Sequence, residues 1–157
     1  MELQQERYIF YFAYGSNADP SRMKDRCDGF IKRERAKLKD YKFQLNKLRK
    51  SCGTAAANIH PCTGSHVYGA LYTCHANALT ILDRYEGVKT GHYYRATVDV
   101  ERDDGSVVEA TTFIAHQDRC KEGLKVKGEY LGHCLGGKDL YPGDYVQFLE
   151  SHKDRVI

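Results

Sequence analysis

No stretch of this 157-residue chain approaches the roughly 20 consecutive apolar residues that a membrane-spanning helix needs, so no membrane partner is expected. Glycine-rich nucleotide loops are also missing. There is no G-x-x-x-x-G-K-[ST] segment and no G-x-G-x-x-G fingerprint, which leaves nucleotide-dependent chemistry without support. The six cysteines (27, 52, 62, 74, 120 and 134) contain no C-x-x-C window, and His60 near Cys62 and His75 beside Cys74 do not make the two close ligand pairs of a structural zinc site. A zinc site is therefore not expected, and the thiols are read as reduced, several of them buried. Charge of one sign is not in excess either: 24 basic against 21 acidic residues give +3, too even to imply nucleic acid. The densest basic run, residues 32–50, alternates with Tyr41, Phe43 and Leu45, and Lys42, Gln44 and Asn46 take the other face. That is the pattern of a strand with one solvated side. Glu2, Glu6 and Arg7 flank the first apolar run and no cleavage-like site follows it, so a cytoplasmic protein is expected.

The length suits one domain spanning residues 1–157, with a single core. Its most apolar run, residues 8–14, lacks polar alternation and reads as a central strand buried on both faces. Gly15, Ser16 and Asn17 break it. A helix is expected over residues 18–27, with Asp19 as N-cap and Pro20 at its first position. A strand, a glycine turn and a helix in that order aim backbone N–H groups at one spot, a natural receptor for a carboxylate or phosphate.

Two strands, residues 29–38 and 41–48, are expected to form a hairpin about Lys39 and Asp40. Residues 55–59 read as a short strand with small Ala55, Ala56 and Ala57, residues 61–65 as a turn, and residues 67–73 as a strand interrupted by Gly69. Asp104 and Gly105 join strands over residues 93–100 and 106–115. Helices are expected over residues 128–135 and 141–152, the latter with Pro142 at its start.

The clearest helix covers residues 76–86, where Ala78, Ile81, Leu82 and Tyr85 recur at helical spacing and Gly87 stands at C′. Glu86 shares its apolar face and lies at the negative end of the helix dipole. Both effects raise its pKa, as a general base or acid working near neutrality requires. Ser16 lacks the second glycine of a nucleophile elbow, and Cys52 has no identifiable partner among seven histidines.

The sequence Y-F-A-Y-G-S-N at residues 11–17, G-x-x-Y at 69–72, L-D-x-x-E-G-V at 82–88 and G-x-Y at 91–93 resembles the γ-glutamylcyclotransferase-like family, in family order. The resemblance implies an α+β fold, a compact mixed β-barrel of about five to six strands with surrounding helices. It implies an enzyme that converts a γ-glutamyl amino acid or γ-glutamyl amine to 5-oxoproline and the free amine, with no metal, no cofactor and no covalent intermediate. Glu86 would be the catalytic base and acid. Tyr11, Phe12, Ala13, Tyr14, Gly15, Ser16 and Tyr130 would bind the glutamyl end. Phe113 stands where a relative carries tyrosine, which bears on substrate choice. Removal of a γ-glutamyl protecting group in a biosynthetic pathway, and a non-catalytic module that binds a small carboxylate or a protein, are the alternatives. A homodimer is compatible with the resemblance.

Overall fold

The computed structural model describes residues 7–157. Glu2 and Glu6, which entered the argument against a secretory leader, lie outside the described residues. Five strands, β1 (Tyr8–Ala13), β2 (Lys32–Leu48), β3 (Ala55–His75), β4 (Tyr93–Arg102) and β5 (Val107–Ala115), close into a barrel in the order β1-β3-β2-β4-β5. The barrel is mixed because β1 meets β5 in parallel, at Tyr11 and Thr111, whereas every other neighbouring pair is antiparallel. Four α-helices accompany it among the described residues: α1 (Pro20–Cys27), α2 (Asn77–Tyr85), α3 (Gly128–Leu135) and α4 (Gly143–Glu150). None is long and apolar enough to cross a membrane.

The hairpin expected about Lys39 and Asp40 is not formed. β2 runs unbroken for 17 residues against the 21-residue β3, and the reversal falls after Leu48. Asp40, at φ 63°, instead faces the stretch 62–65 within the ladder, as the register passes from Lys39↔His66 to Tyr41↔Pro61. Its carboxylate accepts the Gly64 N–H at 3.0 Å. The two turn signals in the sequence therefore cancel as a bulge inside one long strand pair.

β1 is buried over Tyr11, Phe12 and Ala13 only. Tyr8 is 48% exposed, Ile9 and Phe10 are half-buried, and Tyr14 lies beyond the strand, so the expectation of burial on both faces holds for its inner half. Gly69 in β3 is needed there: a Cβ would stand 2.7 Å from the Phe12 ring and 2.8 Å from the Ala13 carbonyl oxygen. The first α-helix begins at Pro20 rather than at residue 18, preceded by a 3-10 turn over Ser16–Ala18, and Asp19 caps it by accepting the Ser21 N–H. None of the six cysteines is disulfide-bonded, and Cys27, Cys74 and Cys134 are buried.

Candidate active site

A second bulge builds one wall of the site. Between Leu45↔Ala57 and Lys47↔Ala56 the β2 strand carries one extra residue, Asn46, so the alternation begun at Tyr41 fails. Asn46 and Lys47 are both buried, Lys47 at 6% exposure, instead of lying on the solvated face expected for this run. The opposite wall is the turn after β1. The Tyr72 hydroxyl donates to the Asn17 carbonyl oxygen at 2.7 Å, and the Thr112 hydroxyl donates to that of Phe12 at 2.7 Å, fixing both ends of the turn. Gly15 is pressed against β3, where a Cβ would lie 2.9 Å from that of Ala57.

Between these walls lies a pocket of about 370 Å³, within the usual range for small-molecule sites. Tyr11, Tyr14, Gly15, Ser16, Tyr130 and Glu86, all singled out from sequence, line it together. Phe12 and Ala13 do not; Phe12 is fully buried against Gly69. Two tyrosines pin the small-residue stretch of β3: the Ala57 N–H donates to the Tyr130 hydroxyl at 2.8 Å, and the Tyr93 hydroxyl donates to the Ala57 carbonyl at 2.6 Å. Burial raises the Tyr130 pKa, against the opposing effect of its hydrogen bonds with Ala57 and Ser16. Tyr14 donates to the Phe113 carbonyl at 2.5 Å, and the Phe113 ring meets that of Tyr11 edge-on in the pocket lining.

Glu86 follows the last turn of α2, its N–H held by the Leu82 carbonyl at 2.8 Å, and the left-handed Gly87 turns the chain away. Burial raises its pKa from an ordinary 4.5 to about 6, against the opposing pull of Arg26, Lys47 and Arg22. Sequence reasoning missed the residue that ties this carboxylate to the turn. Asn17, 3% exposed, donates through Nδ2 to the Tyr11 hydroxyl at 3.0 Å and to Glu86 Oε1 at 3.4 Å. Its Oδ1 accepts from Arg26 at 3.1 Å, and the Arg26 guanidinium lies over the Tyr85 ring at 4.5 Å.

The α1 N-terminus is not open to a ligand, because Asp19 already occupies it. Positive charge comes instead from Arg22 and Arg26 of α1, and from Lys47, Arg49 and Lys50 at the end of β2 and its turn, which belong to the basic run expected to form a solvated strand face. The helical i, i+4 spacing of Arg22 and Arg26 is the one signal that could have placed that pair on a common face. Lys47 donates to His92 Nδ1 at 2.9 Å; an ammonium can only donate, so that ring nitrogen is unprotonated. Burial, with Lys47, Arg119 and Lys50, lowers the His92 pKa.

Comparison with known proteins places this arrangement in context. The family model described as gamma-glutamyl cyclotransferase, AIG2-like, matches residues 11–132, which include every residue of the pocket. The bovine (Bos taurus) protein named Gamma-glutamylcyclotransferase is 28% identical over 154 residues, covering 94% of this chain and 80% of its own. Its human (Homo sapiens) namesake is 30% identical over 113 residues, covering 69% and 60%. A solved structure titled Gamma-glutamyl cyclotransferase shares the fold with a TM-score of 0.82 at 24% identity, covering 92% of this chain and 88% of that one. The chain belongs to the gamma-glutamyl cyclotransferase, AIG2-like family.

Proposed function

We propose that the protein is a γ-glutamyl cyclotransferase that releases 5-oxoproline and a free amine, with Glu86 moving the protons. The names borne by its relatives support that activity. The observation that carries the reaction scheme is a desolvated carboxylate, with a pKa of about 6, facing a pocket otherwise rich in cations. A γ-glutamyl group brings a carboxylate and an ammonium on one carbon. The carboxylate lies against the turn over residues 14–16, within reach of its N–H groups, Ser16, Tyr130 and Arg22. The ammonium turns toward Glu86. Phe12 and Ala13, buried behind the turn, hold it in place instead of touching the ligand.

Glu86 removes a proton from the ammonium, and the freed α-amino nitrogen attacks the γ-carbonyl carbon of the same molecule. A C–N bond forms and closes a five-membered ring. Glu86 delivers the proton it holds to the departing nitrogen as the original amide bond breaks, and the second proton lost by the ring nitrogen passes through the regenerated carboxylate to the released amine, which leaves as its ammonium. Because nucleophile and electrophile are joined, the pocket's contribution is to fold the substrate into a reactive geometry. The scheme uses no metal and no covalent intermediate, as the family resemblance implied.

The test is to incubate the purified protein with a panel of γ-glutamyl amino acids and γ-glutamyl amines and to quantify 5-oxoproline. Release from at least one compound, with stoichiometric free amine, is the expected result. A folded protein that yields 5-oxoproline from none of them overturns the proposal.

A further inference from the structure

Lys47 is a buried ammonium held by a neutral ring. No ion pair among the described residues involves it; it donates to the unprotonated Nδ1 of His92 at 2.9 Å and lies 5.4 Å from the centre of the Tyr93 ring. The one acidic side chain lining the same pocket is Glu86. His92 is tied to that acid through a short loop. The His92 N–H donates to the Gly87 carbonyl at 3.0 Å, the His92 carbonyl accepts from the His116 N–H at 3.0 Å, and a Cβ on Gly87 would stand 2.8 Å from the imidazole Cδ2. Gly87 directly follows Glu86, so one loop carries both the base and the acceptor that brings a cation to it.

The charges facing this loop come from several elements. Arg26 and Arg22 of α1 and Lys47 of β2 lower the Glu86 pKa against the larger effect of burial. Burial keeps the neighbouring Tyr11, Tyr14, Tyr93 and Tyr130 hydroxyls protonated. Burial, with Lys47, Arg119 and Lys50, lowers the His92 pKa, so the ring remains an acceptor at neutral pH. Burial, Arg119 and Arg49 lower the pKa of Lys47, and Glu86 and Cys120 oppose them. Arg26 is held by Asn17 and Tyr85. Lys47 has no such second tether: without His92, its ammonium would lack a hydrogen-bond partner among the described residues, and its flexible stem would carry it toward water.

Resting on the reaction proposed above, we infer that His92 is a positioning residue for the base: its unprotonated Nδ1 holds the Lys47 ammonium in the pocket that Glu86 shares, and so keeps that carboxylate ionised at neutral pH. The role requires no contact between His92 and the substrate.

The experiment reads the ionisation of Glu86 in two ways. One is the acid limb of the pH profile of kcat/KM, from 5-oxoproline release; the other is the NMR midpoint of the Glu86 carboxyl carbon in isotope-labelled protein, assigned by its loss in Glu86→Gln. His92→Leu is expected to move both upward by about one pH unit, as loss of a nearby opposite charge does. From a wild-type value of about 6, kcat/KM then falls about fivefold at pH 6 and hardly at pH 8, a pattern that general loosening of the pocket would not give. His92→Asn, whose Oδ1 replaces Nδ1 as acceptor, is expected to return the midpoint to within about 0.3 unit of wild type. Lys47→Met is expected to reproduce the His92→Leu shift, and the double variant to add nothing to it. Should Lys47→Met fail to fold, the two His92 variants carry the comparison. His116→Gln, at an exposed histidine, is expected to leave both readings unchanged. A midpoint unmoved in His92→Leu overturns the role, as does an equal shift in His92→Asn or a double-variant shift equal to the sum of the single ones. If no γ-glutamyl compound yields 5-oxoproline, the reaction is refuted, and the NMR midpoints still decide the link between His92 and Glu86.

Discussion

Glu86→Gln separates the catalytic and structural consequences of one carboxylate. Gln reproduces the protonated side chain, so its effect follows from the shift of the wild-type group from 4.5 to about 6. The folded pKa is raised, so the stability associated with protonation is fully present below 4.5 and is lost as pH rises through 6. Above that window the wild-type fold carries a buried charge that costs at most about 2 kcal/mol, at 1.36 kcal/mol per pKa unit. The variant escapes this cost. At pH 8 its unfolding free energy should exceed wild type by up to about 2 kcal/mol, or about 4–8 °C in Tm, and at pH 4 the two should coincide. Turnover should fall by about 10²–10⁴-fold, the usual worth of a general base. Urea unfolding at pH 4 and pH 8, with 5-oxoproline release at pH 7.5, tests both. Turnover close to wild type refutes the proton-transfer role. Equal stability at both pH values refutes the desolvated state.

Two further substitutions probe the frame of the pocket. Tyr130→Phe removes the acceptor of the Ala57 N–H, leaving a buried donor unpaired, and should cost about 1–3 kcal/mol in urea unfolding and weaken substrate binding; unchanged stability and KM would show that another acceptor takes its place. Gly69→Ala forces a Cβ to 2.7 Å from Phe12 and should destabilise by about 1–3 kcal/mol without touching the pocket lining, so a kcat lowered far more than stability would contradict this placement.

What could be read from the sequence was local. The turn after β1, the Asp19 cap, the α2 periodicity that put Glu86 on an inward face and the Asp-Gly reversal between β4 and β5 each depend on neighbours within a few residues. The β2–β3 pair was misread for the opposite reason. Asp40 and the stretch 62–65 are both good turn signals, and only their meeting across the ladder turns them into a bulge. Lys47 was lost in the same way. Alternation alone puts it on the face of Phe43 and Leu45, and the extra residue Asn46, visible only in the register with Ala56 and Ala57, sets it opposite Ala56 in the pocket lining. Asn17 stood within the motif, but its three side-chain partners come from β1, α1 and the end of α2, and no spacing in the sequence joins those.

The same non-local register accounts for the acidity of Glu86. Burial alone can drive a carboxyl group to 8 or 9, where it would be protonated at neutral pH and could accept nothing. An exposed carboxylate near 4.5 would be ionised but too weak a base for an ammonium. Arg26 and Arg22 on one side and Lys47 on the other pull the buried group back to about 6, ionised at neutral pH yet far more basic than a surface glutamate. Lys47 reaches that position because of the bulge at Asn46, and Arg26 is oriented by the Oδ1 of the same Asn17 whose Nδ2 reaches Glu86. The turn after β1, through Asn17, and the β2 wall, through Lys47, therefore act together on one buried carboxylate.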